Sequence, residues 1–245
     1  MNKSPVLILG ARSDIGLAVA HAFAAAGHAV QLAARNTETL EAAAQDIRVR
    51  HSVEASCHGF DALDTEGHAA FIEGLPALPA VAITAVGWMG KQAENETDAQ
   101  AATTVMRSNF EGPALIFAEL ANRFAARGSG TLVGISSVAG DRGRATNYVY
   151  GASKAGFTAF LSGLRNRLAK EGVHVVTVLP GFVNTRMTEG MDLPGKLTAE
   201  PQEVAQAILK ATQNGRNVIY VRRIWWLIMT IIRNIPEAVF KKLSI

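Results

Sequence analysis

Apolar and polar positions along this 245-residue chain change period in a regular way. Short, nearly continuous apolar runs at 6–9, 29–33, 80–86, 131–135, 173–179 and 218–221 read as strands, because a strand covered on both faces has no reason to alternate. A weaker strand is expected over 53–60, where Glu54, Ser56 and His58 alternate with small or apolar residues and mark a poorly covered face. Between the runs, helical periodicity predicts helices over 15–26, 38–50, 65–75, 99–126, 147–170 and 201–213. Gly27 and Gly172 stand where helix ends want a left-handed residue, and Pro201 suits a first turn. Strand and helix take turns, and parallel neighbours need crossover helices between them. The expectation is an α/β fold in one domain over residues 1–221, a doubly wound parallel sheet of about seven strands with helices on both faces. Residues 186–198 contain Gly190, Pro194 and Gly195, keep no sustained period, and read as a loop able to close over a ligand.

The segment Gly10-Ala11-Arg12-Ser13-Asp14-Ile15-Gly16 leaves the first strand and opens the first helix. Gly10 permits the tight turn, Gly16 permits close backbone packing, and free N–H groups at the helix start face an anion such as a pyrophosphate. An ordinary glycine-containing turn has similar letters, so its position carries the weight. Asp14 is a carboxylate at an anion site and is expected to turn away and cap the helix. After the second strand no acidic residue awaits the ribose hydroxyls of NAD(H). Arg35 stands there instead, with Arg12 as its neighbour, which favours a 2′-phosphate and therefore NADP(H) over NAD(H). The bland reading of Arg35 is a solvated loop charge. Asp61, after the third strand, either accepts from an adenine amino group or starts the next helix.

Tyr150-Gly151-Ala152-Ser153-Lys154 puts a tyrosine and a lysine one helical turn apart on one face. A phenol of ordinary pKa is a poor acid or base at neutral pH, and Lys154 is expected to depress the pKa of Tyr150. Tyr148 has Ala152 at the same offset, lacks the cation, and reads as packing or a substrate wall. Ser136 and Ser137 end the preceding strand, and the Ser137 hydroxyl is placed to hold the oxygen to which the tyrosine transfers a proton. Asn109 interrupts the long helical stretch, either to hold a water chain toward the lysine or to cap a distortion.

Gly10 to Gly16, Asn109, Ser137, Tyr150 with Lys154, and Pro180-Gly181-Phe182-Val183-Asn184-Thr185 stand in the order and spacing of short-chain dehydrogenases/reductases, which the chain resembles from Val6 to Val221. The resemblance implies a Rossmann fold and hydride transfer between a nicotinamide dinucleotide and a carbonyl or alcohol carbon. It implies Tyr150 as general acid/base, Lys154 on the nicotinamide ribose, Ser137 orienting the substrate and Asn109 supporting a proton relay. Pro180, Gly181, Val183 and Thr185 would serve the nicotinamide side. Two positions depart from the family pattern: Asp14 replaces the middle glycine of the turn, and Thr84-Ala85-Val86-Gly87 replaces Asn-Asn-Ala-Gly, with Gly87 keeping its place beside the cofactor. These departures resemble, more loosely, reductases acting on a polyprenyl-phosphate-linked keto-pentose. A homodimer or homotetramer is implied as well. The rival reading is a non-catalytic dinucleotide sensor or membrane-associated scaffold on the same fold.

Charge changes the picture only at one end. The formal net charge is +3, yet Arg222, Arg223, Arg233, Lys241 and Lys242 stand against Glu237 alone within 222–245, which leaves the body close to neutral. Nucleic acid is therefore not an expected partner. The apolar run 224–232 contains Trp225 and Trp226 and is too short to span a bilayer, so 222–245 reads as an interfacial helix, a pocket cover or a subunit contact. Pro236 is expected to end or kink that helix. If the tail meets a membrane, the substrate is expected to be apolar or lipid-linked, in a pocket walled by Trp88, Met89, Phe182 and Met187. The single cysteine, Cys57, excludes an intrachain disulfide and a Cys-rich zinc site, and no metal is expected. No export signal is read at 1–5, and the expected location is the cytoplasm, peripheral to the inner face of the membrane.

Overall fold

A computed structural model describes residues 3–243; Met1, Asn2, Ser244 and Ile245, the outermost positions of 1–221 and 222–245, lie outside the described residues. Seven strands form one sheet: β1 (Lys3–Leu9), β2 (His28–Ala34), β3 (Ala55–Gly59), β4 (Val81–Thr84), β5 (Gly130–Ile135), β6 (Val173–Pro180) and β7 (Val218–Val221). All pairings are parallel, in the order β3-β2-β1-β4-β5-β6-β7. The helices are α1 (Asp14–Ala25), α2 (Glu41–His51), α3 (His68–Glu73), α4 (Gln92–Thr97), α5 (Ala99–Met106), α6 (Gly112–Arg127), α7 (Tyr148–Leu168), α8 (Pro201–Gln213), α9 (Ile224–Asn234) and α10 (Glu237–Phe240).

β1 shows why its run is unbroken. Val6 and Ile8 pack with α1, α2 and α8 on one side, while Leu7 and Leu9 pack with α3, α6 and α7 on the other. Both faces are dry, so every position must be apolar. The edge strand β3 is covered less completely, and its middle residues are only partly buried, as the alternation there foretold. Strand order reverses between β1 and β4, which opens a crevice at the carboxyl ends of the strands.

The stretch expected as one helix over 99–126 is interrupted. Between α5 and α6 lies a π turn, Arg107–Glu111, with Asn109 at its centre. Pro113 has no N–H to return to the Asn109 carbonyl four residues back, so the α ladder cannot pass through this point. The Asn109 side chain reinforces the break by donating to the Val105 carbonyl at 2.7 Å. The helix expected over 65–75 shrinks to α3 because Asp61 and Asp64 hold the preceding chain in turns, accepting from Leu63 N at 3.0 Å and Gly67 N at 3.3 Å. Within the loop 186–198, two short 3₁₀ turns form at Arg186–Thr188 and Gly195–Leu197.

Candidate active site

The residues singled out from sequence collect along the carboxyl ends of the strands. Gly10 leaves β1 with φ +84°, and a Cβ there would lie 2.8 Å from Val86 N, so only glycine lets the turn pass under the end of β4. Ser13 caps α1, its Oγ accepting from Gly16 N at 3.0 Å and donating to Gly10 O at 2.9 Å. The expectation that Asp14 is the cap is thus corrected: a residue inside the first turn cannot reach the orphan N–H groups as the preceding serine does. Asp14 instead accepts from Arg186 N at 2.8 Å and from Arg186 Nε at 3.0 Å. The Arg186 guanidinium also donates to the Arg12 carbonyl. Among the described residues, the N–H groups of Asp14 and Ile15 meet no acceptor. Two open donors at a helix start fit a pyrophosphate.

Arg12 and Arg35 are exposed, and neither guanidinium has a hydrogen-bond or ion-pair partner among the described residues. They stand at the ends of β1 and β2, which are neighbours in the sheet. Asp61 is exposed at the end of β3, with one oxygen committed to Leu63 N. It does not start the next helix, which begins at His68. On this side the chain offers open cations and open backbone donors.

On the other side, α7 brings Tyr150 and Lys154 to the end of β5. Ser136 makes the junction: its buried Oγ donates to the Lys154 carbonyl at 2.9 Å and lies 2.7 Å from Thr158 Oγ1. With Ser136 turned into the helix, Ser137 faces the crevice and caps the turn Val138–Gly140 by accepting from Ala139 N at 3.1 Å. A Cβ on Gly151 would lie 2.8 Å from the Ala139 carbonyl, so glycine beside Tyr150 allows the two segments to touch. Asn109 is fully buried and clamps Trp88, donating to its carbonyl at 2.5 Å and accepting from its N–H at 3.2 Å. A Cβ on Gly87 would stand 3.1 Å from Asn109 Oδ1 and 3.7 Å from Lys154 Nζ, which places these three residues together.

The electrostatics correct one expectation. Lys154 does not depress the Tyr150 pKa here. Burial pushes the Tyr150 phenol up to about 12, with the Ser137 hydroxyl pulling the other way. Burial also pulls Lys154 down to about 8. The ammonium donates to the Ile135 carbonyl at 3.0 Å and lies 5.8 Å from the centroid of the Tyr150 ring. Desolvation therefore outweighs the attraction of the cation for a phenolate.

The segment after β6 completes the crevice. Pro180 and Val183 are buried, Val183 bridges Ala199 in parallel, and Thr185 caps the turn Arg186–Thr188. Gly181 lies against the tail, where a Cβ would fall 1.9 Å from the Trp225 indole. Trp225 is 5% exposed, donates its Nε1 proton to the Leu197 carbonyl at 3.0 Å, and meets Phe182 edge to face at 5.4 Å. Trp225, Ile228, Met229 and Ile232 form the inward stripe of α9, packed over Val138, Leu179 and Phe182. Arg142, from the segment joining Ser137 to Tyr150, holds the far end of the tail by donating to the Arg233 and Ile235 carbonyls and to Glu237. Sequence reasoning missed Arg186, Arg142 and the seat of Trp225 against Gly181, because each of these residues meets its partner far away along the chain.

This fold and this constellation are those of an oxidoreductase that works between an alcohol and a carbonyl carbon with a nicotinamide dinucleotide. Residues 4–193 match the short chain dehydrogenase family, and the chain belongs to that family. It is similar to an uncharacterized oxidoreductase of Mycobacterium tuberculosis, 37% identical over 98% of this chain and 97% of that protein. An uncharacterized oxidoreductase of Streptomyces coelicolor is 35% identical over 98% of this chain and 96% of that protein. Among solved structures, a short-chain dehydrogenase from Sphingobium yanoikuyae in complex with NADPH superposes with a TM-score of 0.81 at 25% identity, covering 96% of this chain and 98% of that one. The bulky-bulky ketone specific alcohol dehydrogenase of Comamonas testosteroni gives 0.79 at 25% identity, with 97% of each chain covered.

Proposed function

We propose that this protein is an NADPH-dependent carbonyl reductase in which Tyr150 is the general acid. The observation that carries the reading is geometric: α7 sets Tyr150 and Lys154 one turn apart at the end of β5, beside Ser137, with the ammonium 5.8 Å from the Tyr150 ring centroid and Gly87 against both Lys154 and Asn109. NADPH, when bound, supplies the hydride to the carbonyl carbon. Ser137 and Tyr150 donate hydrogen bonds to the carbonyl oxygen, and the Tyr150 proton passes to that oxygen as negative charge develops there. Lys154, one helical turn from Tyr150 on the same face, is placed to return a proton toward the phenolate left behind. Asn109 fixes the Trp88 backbone and leaves its own carbonyl, unmatched by Pro113, to hold the lysine side of the relay.

The open donors of Asp14 and Ile15 receive the pyrophosphate, Arg12 and Arg35 receive the 2′-phosphate, and Asp61 faces the adenine. Gly10, Ser13, Gly16, Gly87, Pro180, Gly181, Val183 and Thr185 shape the rest of the cofactor bed. Support comes from the two unpartnered guanidinium groups and from the NADPH in the Sphingobium relative. Nicotinamide fluorescence tests this directly. NADPH is expected to bind at least tenfold more tightly than NADH, and Arg35→Ala to lose most of that difference, in line with one charge-assisted phosphate contact at roughly 1.5–3 kcal/mol. Equal binding of the two would overturn the Arg35 assignment.

The substrate we propose is an apolar or lipid-linked ketone. Trp88 and Met187 are exposed at the crevice, and the Comamonas relative is described as specific for bulky ketones. Residues 1–221 form the catalytic domain and 222–245 a cover whose outer face rests on the membrane surface, placing the enzyme in the cytoplasm at the inner leaflet. Trp226 at 57% exposure, Leu227 at 49% and Ile231 at 60% stand among Arg223, Arg233, Lys241 and Lys242. Among the described residues, no helix is long and apolar enough to cross a membrane. Exposed Met106, Phe110 and Leu115, on α5, the π turn and α6, suit a subunit contact in a homodimer or homotetramer.

A further inference from the structure

We infer that Asp14 is a positioning residue which ties the segment after β6 across the dinucleotide site through Arg186, and that this tie sets how fast the dinucleotide leaves. The inference rests on the dinucleotide reading of the Gly10–Gly16 turn. Asp14 and Arg186 are 172 positions apart in sequence, yet the Asp14 carboxylate takes both the Arg186 N–H at 2.8 Å and Nε at 3.0 Å. The Arg186 guanidinium reaches past it to the Arg12 carbonyl, so one side chain spans the turn from Arg12 to Asp14. Arg186 opens the 3₁₀ turn that Thr185 caps, and Thr188 Oγ1 secures that turn by donating to the Val183 carbonyl at 2.7 Å. The tie therefore joins two rigid pieces, the start of α1 and the capped turn after β6. Asp14 and Ile15 would hold the pyrophosphate and Thr185 the nicotinamide end, so this link would join the two segments that hold the ends of the dinucleotide.

The same contact explains how a carboxylate is tolerated at an anion site. Arg186 offsets the charge of Asp14, so the pyrophosphate meets a neutral pair rather than a bare anion. This makes the two partners unequal under substitution. Asp14→Asn removes the ionic part of the tie and leaves no repulsion, whereas Arg186→Gln removes the guanidinium part and exposes the carboxylate to the pyrophosphate. The charge on the pair is partly solvent-exposed, so the tie weakens as salt rises.

The test is stopped-flow release of NADPH, followed by nicotinamide fluorescence, together with limited trypsin digestion of the cofactor-free protein. In Asp14→Asn, NADPH is expected to leave about tenfold faster, as fits loss of charge-assisted hydrogen bonds at the surface. In Arg186→Gln, release quickens to the same degree and equilibrium binding weakens further, by roughly another tenfold. The double variant returns to the level of Asp14→Asn, because the exposed carboxylate has gone. Trypsin cuts after Arg186 slowly in the parent and several times faster in Asp14→Asn, since the guanidinium is no longer held. Parent-like release in both single variants, or strictly additive effects in the double variant, overturns the proposal. Failure of the parent to bind either NADPH or NADH overturns the dinucleotide reading and the release claim with it, while equal trypsin cleavage of parent and Asp14→Asn overturns the tie on its own.

Discussion

Replacing Lys154 by methionine is expected to make the protein more stable and less active. Lys154 is 3% exposed, and burial pulls its pKa from 10.5 to about 8. Near neutral pH the fold confines a cation that the unfolded chain keeps in water, and that depression is worth about 3 kcal/mol against folding. Methionine has a similar length and no charge, but it forfeits the hydrogen bond to the Ile135 carbonyl, a loss of about 1 kcal/mol. Lys154→Met is therefore expected to gain about 2 kcal/mol near pH 7. A lysine whose folded pKa is depressed exerts its full cost below that pKa, and the cost fades as pH rises from about 8 toward 10.5. The advantage of the variant should accordingly shrink between neutral pH and about pH 10. Tyr150 and Tyr220, both raised to about 12, lose stability for the fold above their ordinary pKa of 10.0, but parent and variant share them, so the difference isolates the lysine. Urea unfolding of both proteins at the two pH values measures it. Lys154→Met less stable by the same margin at both would refute the reasoning.

Two further outcomes follow from the tail. Gly181→Ala places a methyl inside the Trp225 indole and is expected to unseat α9, costing roughly 3 kcal/mol or more for the displaced aromatic and opening 222–243 to proteolysis; unchanged protease resistance would contradict the seat described for Trp225. The full chain is expected to pellet with anionic vesicles in low salt and to stay in the supernatant with neutral ones, and Trp226→Ser with Ile231→Ser to reduce pelleting at least tenfold; equal pelleting of parent and variant would remove the membrane proposal.

The central strands were legible because their burial on both faces leaves few polar positions, Gln31, Thr84 and Thr177 among them, and the Tyr150 to Lys154 offset was legible because helical geometry is local. The sign of the tyrosine shift was not, since it depends on how dry the end of β5 is, a property of packing rather than spacing. The π turn had a local signal in Pro113, which denies the Asn109 carbonyl its donor, but the surrounding helical period concealed it. Asp14 looked like a cap because its partner, Arg186, lies beyond any local window. The sequence could not say which face of the tail packs inward; in the fold Trp225 lies against Gly181, while Trp226, Leu227 and Ile231 are exposed.

The most direct measurement is NADPH oxidation against a panel of bulky and lipid-linked ketones, compared between the parent and Tyr150→Phe. Loss of the only removed atom, the hydroxyl, is expected to lower turnover by about 100-fold or more with NADPH affinity kept. Parent-level turnover in Tyr150→Phe would contradict the assignment of Tyr150 as the general acid.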